Sequence, residues 1–191
     1  MRALQCLSID PAVADVIALA LAALFGRAAL DKFTSALHFR EVVDAYQLLP
    51  RSLVAPTALG LPLIESLITV ALAAGCLNTA VRPIAGVFAA IMLGAYGASI
   101  SVNLLRGLKN LDCGCSPAGE PRPIGAWMVA RNAVLAGLAL STALPGASRE
   151  LSMSDAPLLV GGLVSCAALY LTLDFLLGKV APAAELLRGT R

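Results

Sequence analysis

PIAGVFAAIMLGAYGASISVNLL, residues 83–105, runs for twenty-three positions without a charged side chain. A helix of that length rises about 35 Å, enough to cross the roughly 30 Å hydrocarbon core of a bilayer. The same texture recurs along the chain. Residues 52–81 carry one charge, Glu65; residues 123–148 carry one, Arg131; residues 156–178 carry one, Asp174. Between Asp15 and Arg27 lie eleven uncharged residues. This weaker block has its charges near its ends, where a long cation can snorkel to the headgroups. The 191 residues are 59% apolar and 14% charged, against about 45–50% and about 25% in soluble domains. The sequence therefore predicts an all-α fold, a polytopic membrane helix bundle. About five transmembrane helices are expected, at roughly 11–31, 53–77, 82–105, 124–145 and 156–178, in a single integral membrane domain over residues 1–191.

The first block differs from a signal peptide, which wants a basic stretch directly before its apolar core. Arg2 is the only early cation, and Asp10 and Asp15 follow it. Asp10-Pro11 reads instead as an N-cap followed by proline at the first helical position, so a retained helix is expected. A net charge of +2, with no phosphate-cradling glycine loop, excludes a nucleic-acid partner. Gly86, Ala90, Gly94 and Ala98 recur every four residues, a small-xxx-small stripe expected to serve close helix packing rather than a substrate groove.

Five crossings divide the loops between two faces. The N-terminal tail, the 78–81 turn and the 146–155 loop share side A. The 32–52 loop, the 106–123 loop and the C-terminal tail share side B. Of the five cysteines, Cys6 and Cys76 fall on side A, Cys113 and Cys115 on side B, and Cys166 within the last helix. A disulfide needs Cα atoms within about 7 Å, so the side B pair has no second dithiol to trade with inside one chain. Cys76 and Cys166 are expected to be small buried hydrophobes.

The pair in LDCGCSP, residues 111–117, carries the chemistry. Two thiols separated by one glycine can close a small strained ring, and Gly114 supplies the unusual backbone angles. Strained, exposed disulfides are oxidising and labile, which suits a catalytic pair, Cys113 and Cys115. Lys109 and Arg106 favour the thiolate and Asp112 opposes it. Pro117, Pro121 and Pro123 keep the segment out of a helix. Structural zinc prefers wider spacing and four ligands, and His38 is the only imidazole, so no metal is expected. Incidental loop thiols are the remaining alternative.

A lone charge at mid-bilayer costs roughly 2.5–3.5 kcal/mol on insertion scales, so such groups pair or line a cavity. Glu65 is expected to pair with Arg131 or Arg27, as a bundle clamp or as part of the site. Arg27 and Asp31 form a second pair four residues apart, and Asn103 and Asn132 offer interhelical hydrogen bonds. Trp127 and Arg131 suggest either a pocket beside the thiol loop, where a quinone ring would dock, or an ordinary interfacial tryptophan.

The segments GRAALDKF (26–33), YQLLP (46–50), the helix bearing Glu65, DCGC (112–115) and WMVARN (127–132) together resemble the methylamine utilization MauE family and, more broadly, DoxX-like membrane proteins. The likeness covers roughly residues 15–145; Ser116-Pro117 stands where relatives often have Phe-Gly. The resemblance implies a multi-pass protein of the bacterial inner membrane, needed for maturation of the small (β) subunit of methylamine dehydrogenase. That subunit carries tryptophan tryptophylquinone and many disulfides and matures in the periplasm. The implied partner is a thioredoxin-like protein, MauD. A partner thiolate would attack the Cys113–Cys115 disulfide, a mixed disulfide would form, and a second cysteine would resolve it; a membrane quinone or another redox protein would restore the pair. Lys32 joins Lys109 and Arg106 as a cation near the thiols. The alternative is a non-enzymatic scaffold or export factor; small-molecule transport lacks the duplicated architecture it needs. Nine lysines and arginines lie near helix ends on side B against three on side A, which places side B in the cytoplasm. A periplasmic client requires the reverse.

Overall fold

The computed structural model describes residues 9–114, 123–145 and 152–189, with side chains as far as Leu173 and at Leu176. Among the described residues there are six α-helices, α1 Pro11–Thr34, α2 Ala36–Ala45, α3 Arg51–Leu77, α4 Arg82–Leu105, α5 Ala126–Ser141 and α6 Ala156–Gly189, the last preceded by a 3-10 turn at Met153–Asp155. Cys6, Cys115, Ser116, Pro117 and Pro121 lie outside the described residues, as does the side chain of Asp174.

Helices α1, α3, α4 and the start of α6 are long and apolar enough to cross a membrane. Their outward faces carry large apolar side chains, among them Leu30, Leu67, Val70, Ile91 and Val164. In water such surfaces would associate; in lipid they are solvated. The chain is a multi-pass membrane protein. α1 starts as its sequence demands: the Asp10 carboxylate accepts from the Ala12 N–H at 2.9 Å, and Pro11 occupies the first turn. α3 runs through Pro56 and Pro62 without a break. A proline leaves the carbonyl four residues earlier unbonded, a loss that neighbouring helices and side chains offset inside membranes.

Besides α6, which runs on to Gly189 rather than ending near 178, two helices depart from expectation. α5 has 16 residues, about 24 Å, and is shorter than the expected 124–145. Its N-terminus is delayed because Ile124 is drawn into a bridge, its N–H donating to the Leu111 carbonyl at 2.9 Å, and Gly125 is extended. Its far end, through the turn to Pro145, accepts from the Ile9 N–H at 3.2 Å. α5 and its flanking turns therefore still join side B to side A. The second departure is α2, which occupies what reads in sequence as the 32–52 loop. Phe39 and Val42 face inward while Arg40, Glu41 and Asp44 stay exposed. Ten residues with two apolar anchors are too short to register as a membrane element.

The core is built from small residues. Ala18, Leu21, Ala22 and Phe25 of α1 meet Ile68 and Leu72 of α3, and these meet Ala85, Ala89, Ala90 and Leu93 of α4 and Ala139 of α5. The small-residue stripe of α4 is used only in part. A Cβ on Gly86 would overlap Thr142 Oγ1 and the Ala139 carbonyl, and Ala90 is buried, but Gly94 and Ala98 are exposed. Steps of four residues outrun a 3.6-residue turn by about 40° each, so the stripe rotates off the interface. The face that packs instead follows alternating steps of four and three: Gly86, Ala90, Leu93, Gly97 and Ile100.

Two buried ion pairs pin the bundle. At side A, Arg82 Nη1 donates to Asp15 Oδ1 at 3.0 Å, tying the start of α1 to the start of α4. Towards side B, Lys32 Nζ donates to Glu65 Oε1 at 2.5 Å, and Tyr96 Oη donates to the same oxygen at 2.7 Å. The two charged side chains are 4% and 1% exposed. This corrects the expected pairing of Glu65 with Arg131 or Arg27. Arg27 points outward, 76% exposed, and holds Asp31 at 3.7 Å. Lys32 wins because it extends the buried stripe Ala18–Ala22–Phe25–Ala29, spaced by fours and threes, whereas Arg27 lies on another face. Asn103 bonds within its own helix, Nδ2 to the Ser99 carbonyl at 3.2 Å, rather than across helices. Neither Cys76 nor Cys166 is the fully buried hydrophobe expected: Cys76 is half-buried and Cys166 is exposed on α6.

Two predictions follow from this packing. Gly86→Leu will destabilise the protein by about 1–3 kcal/mol, the usual cost of overpacking, while Gly94→Leu will leave it unchanged. Thermal unfolding in detergent reads both, and equal midpoints would reject the assigned α4–α5 face. Lys32→Met, which strands a buried carboxylate, will cost about 3–5 kcal/mol, and adding Glu65→Leu will recover most of it. Additive losses in the double variant would show that the two side chains do not act as a pair.

Candidate functional site

The thiol loop begins where α4 stops. Gly107 takes φ +78°, and its N–H donates to the Leu104 carbonyl while the Leu108 N–H donates to the Asn103 carbonyl, each at 3.0 Å. This glycine-based Schellman cap ends the helix and turns the chain across the side B end of the bundle. The loop then closes on itself. Asp112 bridges Pro123 in antiparallel fashion, next to the Ile124–Leu111 bond. The 111–124 segment therefore leaves and re-enters the bundle at one point.

Cys113 sits just inside that closure, half-buried. It packs at the edge of an apolar cluster formed by Ile100, Ile124 and Met128, to which Tyr46, Leu104, Leu111 and Trp127 also belong. Gly114 follows in the left-handed region, φ +68°. Its N–H donates to Asp112 Oδ1 at 3.2 Å. A Cβ there would come within 3.1 Å of Val42 and 3.4 Å of Phe39. Only glycine satisfies both the angle and the space.

α2 is the wall on which this loop rests. His38 Nε2 lies 3.2 Å from Asp112 Oδ2. Because an ionised carboxylate can only accept, Nε2 carries the proton in that bond. Phe39 has Gly114 on one side and the Lys32 ammonium 5.3 Å from its ring centre on the other. Arg106 Nη1 donates to the Gln47 carbonyl at 3.4 Å, a weaker tie between the α4 terminus and the end of α2.

The candidate residues thus fall into three groups. Cys113 and Trp127 share the apolar cluster at the loop. Trp127 also leads to Arg131, whose guanidinium carbon lies 5.3 Å from the Trp127 ring centre and 6.0 Å from that of Tyr170; Arg131 Nη1 donates to Tyr170 Oη at 3.3 Å. Tyr170, from α6, was not anticipated. Lys32 and Glu65 belong to the buried clamp with Tyr96, so Lys32 is committed to a carboxylate rather than to the thiols. Lys109 and Arg27 are exposed. Cys115 lies outside the described residues. Among those residues, no three of His, Cys, Asp and Glu gather as a metal-holding group.

His38 is the residue that sequence reasoning missed. As an isolated imidazole in the sequence it suggests only a metal ligand, and its contact with Asp112 depends on α2. A faint signal exists: His38 and Phe39 precede Val42 by four and three residues, the spacing of neighbours on a helical surface.

With this geometry in place, comparison with known proteins is informative. The sequence profile of the family described as "Methylamine utilisation protein MauE" matches residues 10–145. Three relatives bearing the name methylamine utilization protein MauE are similar to the chain. That of Paracoccus versutus is 39% identical over 152 residues, 79% of this chain and 78% of the relative. That of Paracoccus denitrificans is 38% identical over 141 residues, covering 73% and 74%. That of Methylophilus methylotrophus is 34% identical over 180 residues, covering 93% and 92%. No solved structure matches the chain. The matched segment runs from the cap of α1 to the end of α5 and so contains both buried ion pairs, α2 and the thiol loop, and the chain belongs to the methylamine utilisation protein MauE family.

Proposed function

We propose that this protein acts in methylamine utilisation as a membrane thiol–disulfide exchange factor, supporting disulfide formation in the small subunit of methylamine dehydrogenase. The observation that carries the reading is the placement of Cys113. It sits in a loop closed at its base, at the rim of the bundle, half-buried against an apolar patch and flanked by a positive-φ glycine. A structural thiol has no use for such a mounting, whereas an exchanging one needs a fixed sulfur near the surface.

The proposed exchange is balanced as follows. A thiolate of a thioredoxin-like partner attacks one sulfur of the Cys113–Cys115 disulfide, and the S–S bond breaks as a mixed disulfide forms. The partner's second thiolate then attacks the mixed disulfide. The partner leaves oxidised, and Cys113 and Cys115 remain as a dithiol. A membrane quinone, taking up two electrons and two protons, or another redox protein recharges the pair. Trp127, between the Cys113 cluster and Arg131, is the proposed flank on which an aromatic acceptor ring rests.

This reading puts side B in the periplasm of an inner-membrane protein. The buried cations do not resolve the charge asymmetry: setting aside Lys32 on side B and Arg82 on side A turns nine against three into eight against two. The periplasmic assignment is supported by the chemistry of the family's client, not by charge.

Cys113→Ser and Cys115→Ser will each abolish accumulation of mature dehydrogenase in methylamine-grown cells that rely on this chain, without reducing its amount in the membrane. If both serine variants mature the client normally, the thiols are dispensable and a docking scaffold is the better account. A membrane-impermeant maleimide applied to intact spheroplasts will label a protein whose sole cysteine is Cys113; labelling only after the membrane is opened would put the loop in the cytoplasm.

A further inference from the structure

We propose that His38 is the positioning residue of the thiol loop, acting through Asp112 to hold Cys113 in its half-buried pose and so to limit its rate of exchange. The proposal takes its purpose from the thiol-exchange reading above, but its geometry is independent of it.

The argument starts from Asp112. One of its carboxylate oxygens accepts from the Gly114 N–H, and the other faces His38 Nε2, each at 3.2 Å. The first bond is internal to the loop and spans Cys113. The second fastens that same unit to α2. Phe39 and Val42 of α2 also lie against the Gly114 position, and such apolar contacts tolerate sliding. A hydrogen bond to a carboxylate is directional and fixes orientation as well as distance. The His38–Asp112 contact therefore adds a directional constraint on how the Asp112–Cys113–Gly114 unit presents its thiol.

α2 is itself firmly placed. Phe39 and Val42 are buried, and the Phe39 ring faces the ammonium of Lys32, which is locked to Glu65. His38 thus transmits the position of a rigid part of the bundle to an otherwise short, glycine-containing loop. His38 is partly exposed and sits outside the apolar core, so its loss need not unfold the protein.

The test uses the full-length protein in membrane vesicles with Cys6, Cys76, Cys115 and Cys166 replaced by serine, so that Cys113 is the sole thiol. The readout is the second-order rate of Cys113 with a small disulfide reagent, alongside the thermal midpoint. His38→Ala will raise the rate at least fivefold with an unchanged midpoint. His38→Gln, which keeps a donor for Asp112, will stay within twofold of the parent. In an Asp112→Ala background, His38→Ala will change the rate by less than twofold, because the two residues act as one unit. Should His38→Ala fail to insert, His38→Phe keeps the bulk without the donor and must show the same rise. The proposal is overturned if the alanine and glutamine variants behave alike, or if the effect of His38→Ala persists without Asp112. These results do not depend on the client. Normal client maturation in the Cys113→Ser protein would defeat the exchange reading while leaving the His38–Asp112 coupling intact.

Discussion

A carboxylate inside hydrocarbon must find a cation, and in this protein that requirement organises the side B half of the bundle. Glu65 projects from α3 where water does not reach, and Lys32 and Tyr96 converge on one of its oxygens from α1 and α4. Three helices thereby share one polar contact. The Asp15–Arg82 pair does the same for α1 and α4 at the opposite end. Apolar side chains gain little by leaving lipid for one another, so small-residue contact and a few buried polar bonds are what specify the arrangement. Two clamps, one towards each end, fix the tilt of α1 against its neighbours in a way that a uniformly apolar surface could not.

The lower clamp also explains α2. Its anchor Phe39 lies over the Lys32 ammonium, an attraction strengthened by removal from water. The chain turns at Ser35, and the short helix is held across the mouth of the bundle rather than left to trail in the headgroups. Because α2 is held, the loop that leans on it is held too. The order of dependence runs from Glu65 to Lys32, from Lys32 to Phe39, and from α2 to Asp112, Cys113 and Gly114. Residues far apart in the sequence become one support for a sulfur.

Much of the membrane architecture was legible in the sequence because a bilayer imposes a length. The 83–105 run had one reading, and α4 begins and ends within a residue of it. α2 was not legible: ten residues with charges on most of one face look like a polar connection until the surface they cover is known. The partner of Glu65 was readable in principle. Phe25, Ala29 and Lys32 continue the buried spacing of α1, but Lys32 stands at the end of an apolar run, where a cation ordinarily reaches the headgroups. Among the described side chains, two aromatic rings and the Tyr170 hydroxyl meet the Arg131 guanidinium, contacts that its planar, weakly hydrated cation suits. The Cys-Gly-Cys motif is visible locally in the sequence, whereas the contact of His38 with Asp112 exists only through the fold.

Among its described side chains, the membrane-crossing stretch of α6 from Ala156 to Leu173 has no buried residue, and Gly162 lets it approach α1 at Val16 while Tyr170 reaches Arg131. The family's sequence profile ends at residue 145, before α6 begins. The segment that the profile matches contains both buried ion pairs and the start and end of the thiol loop. Under the proposed exchange, a sulfur that must meet a partner in a defined orientation belongs on that braced unit, because a mount that drifted by an ångström would misalign the three sulfurs of the step.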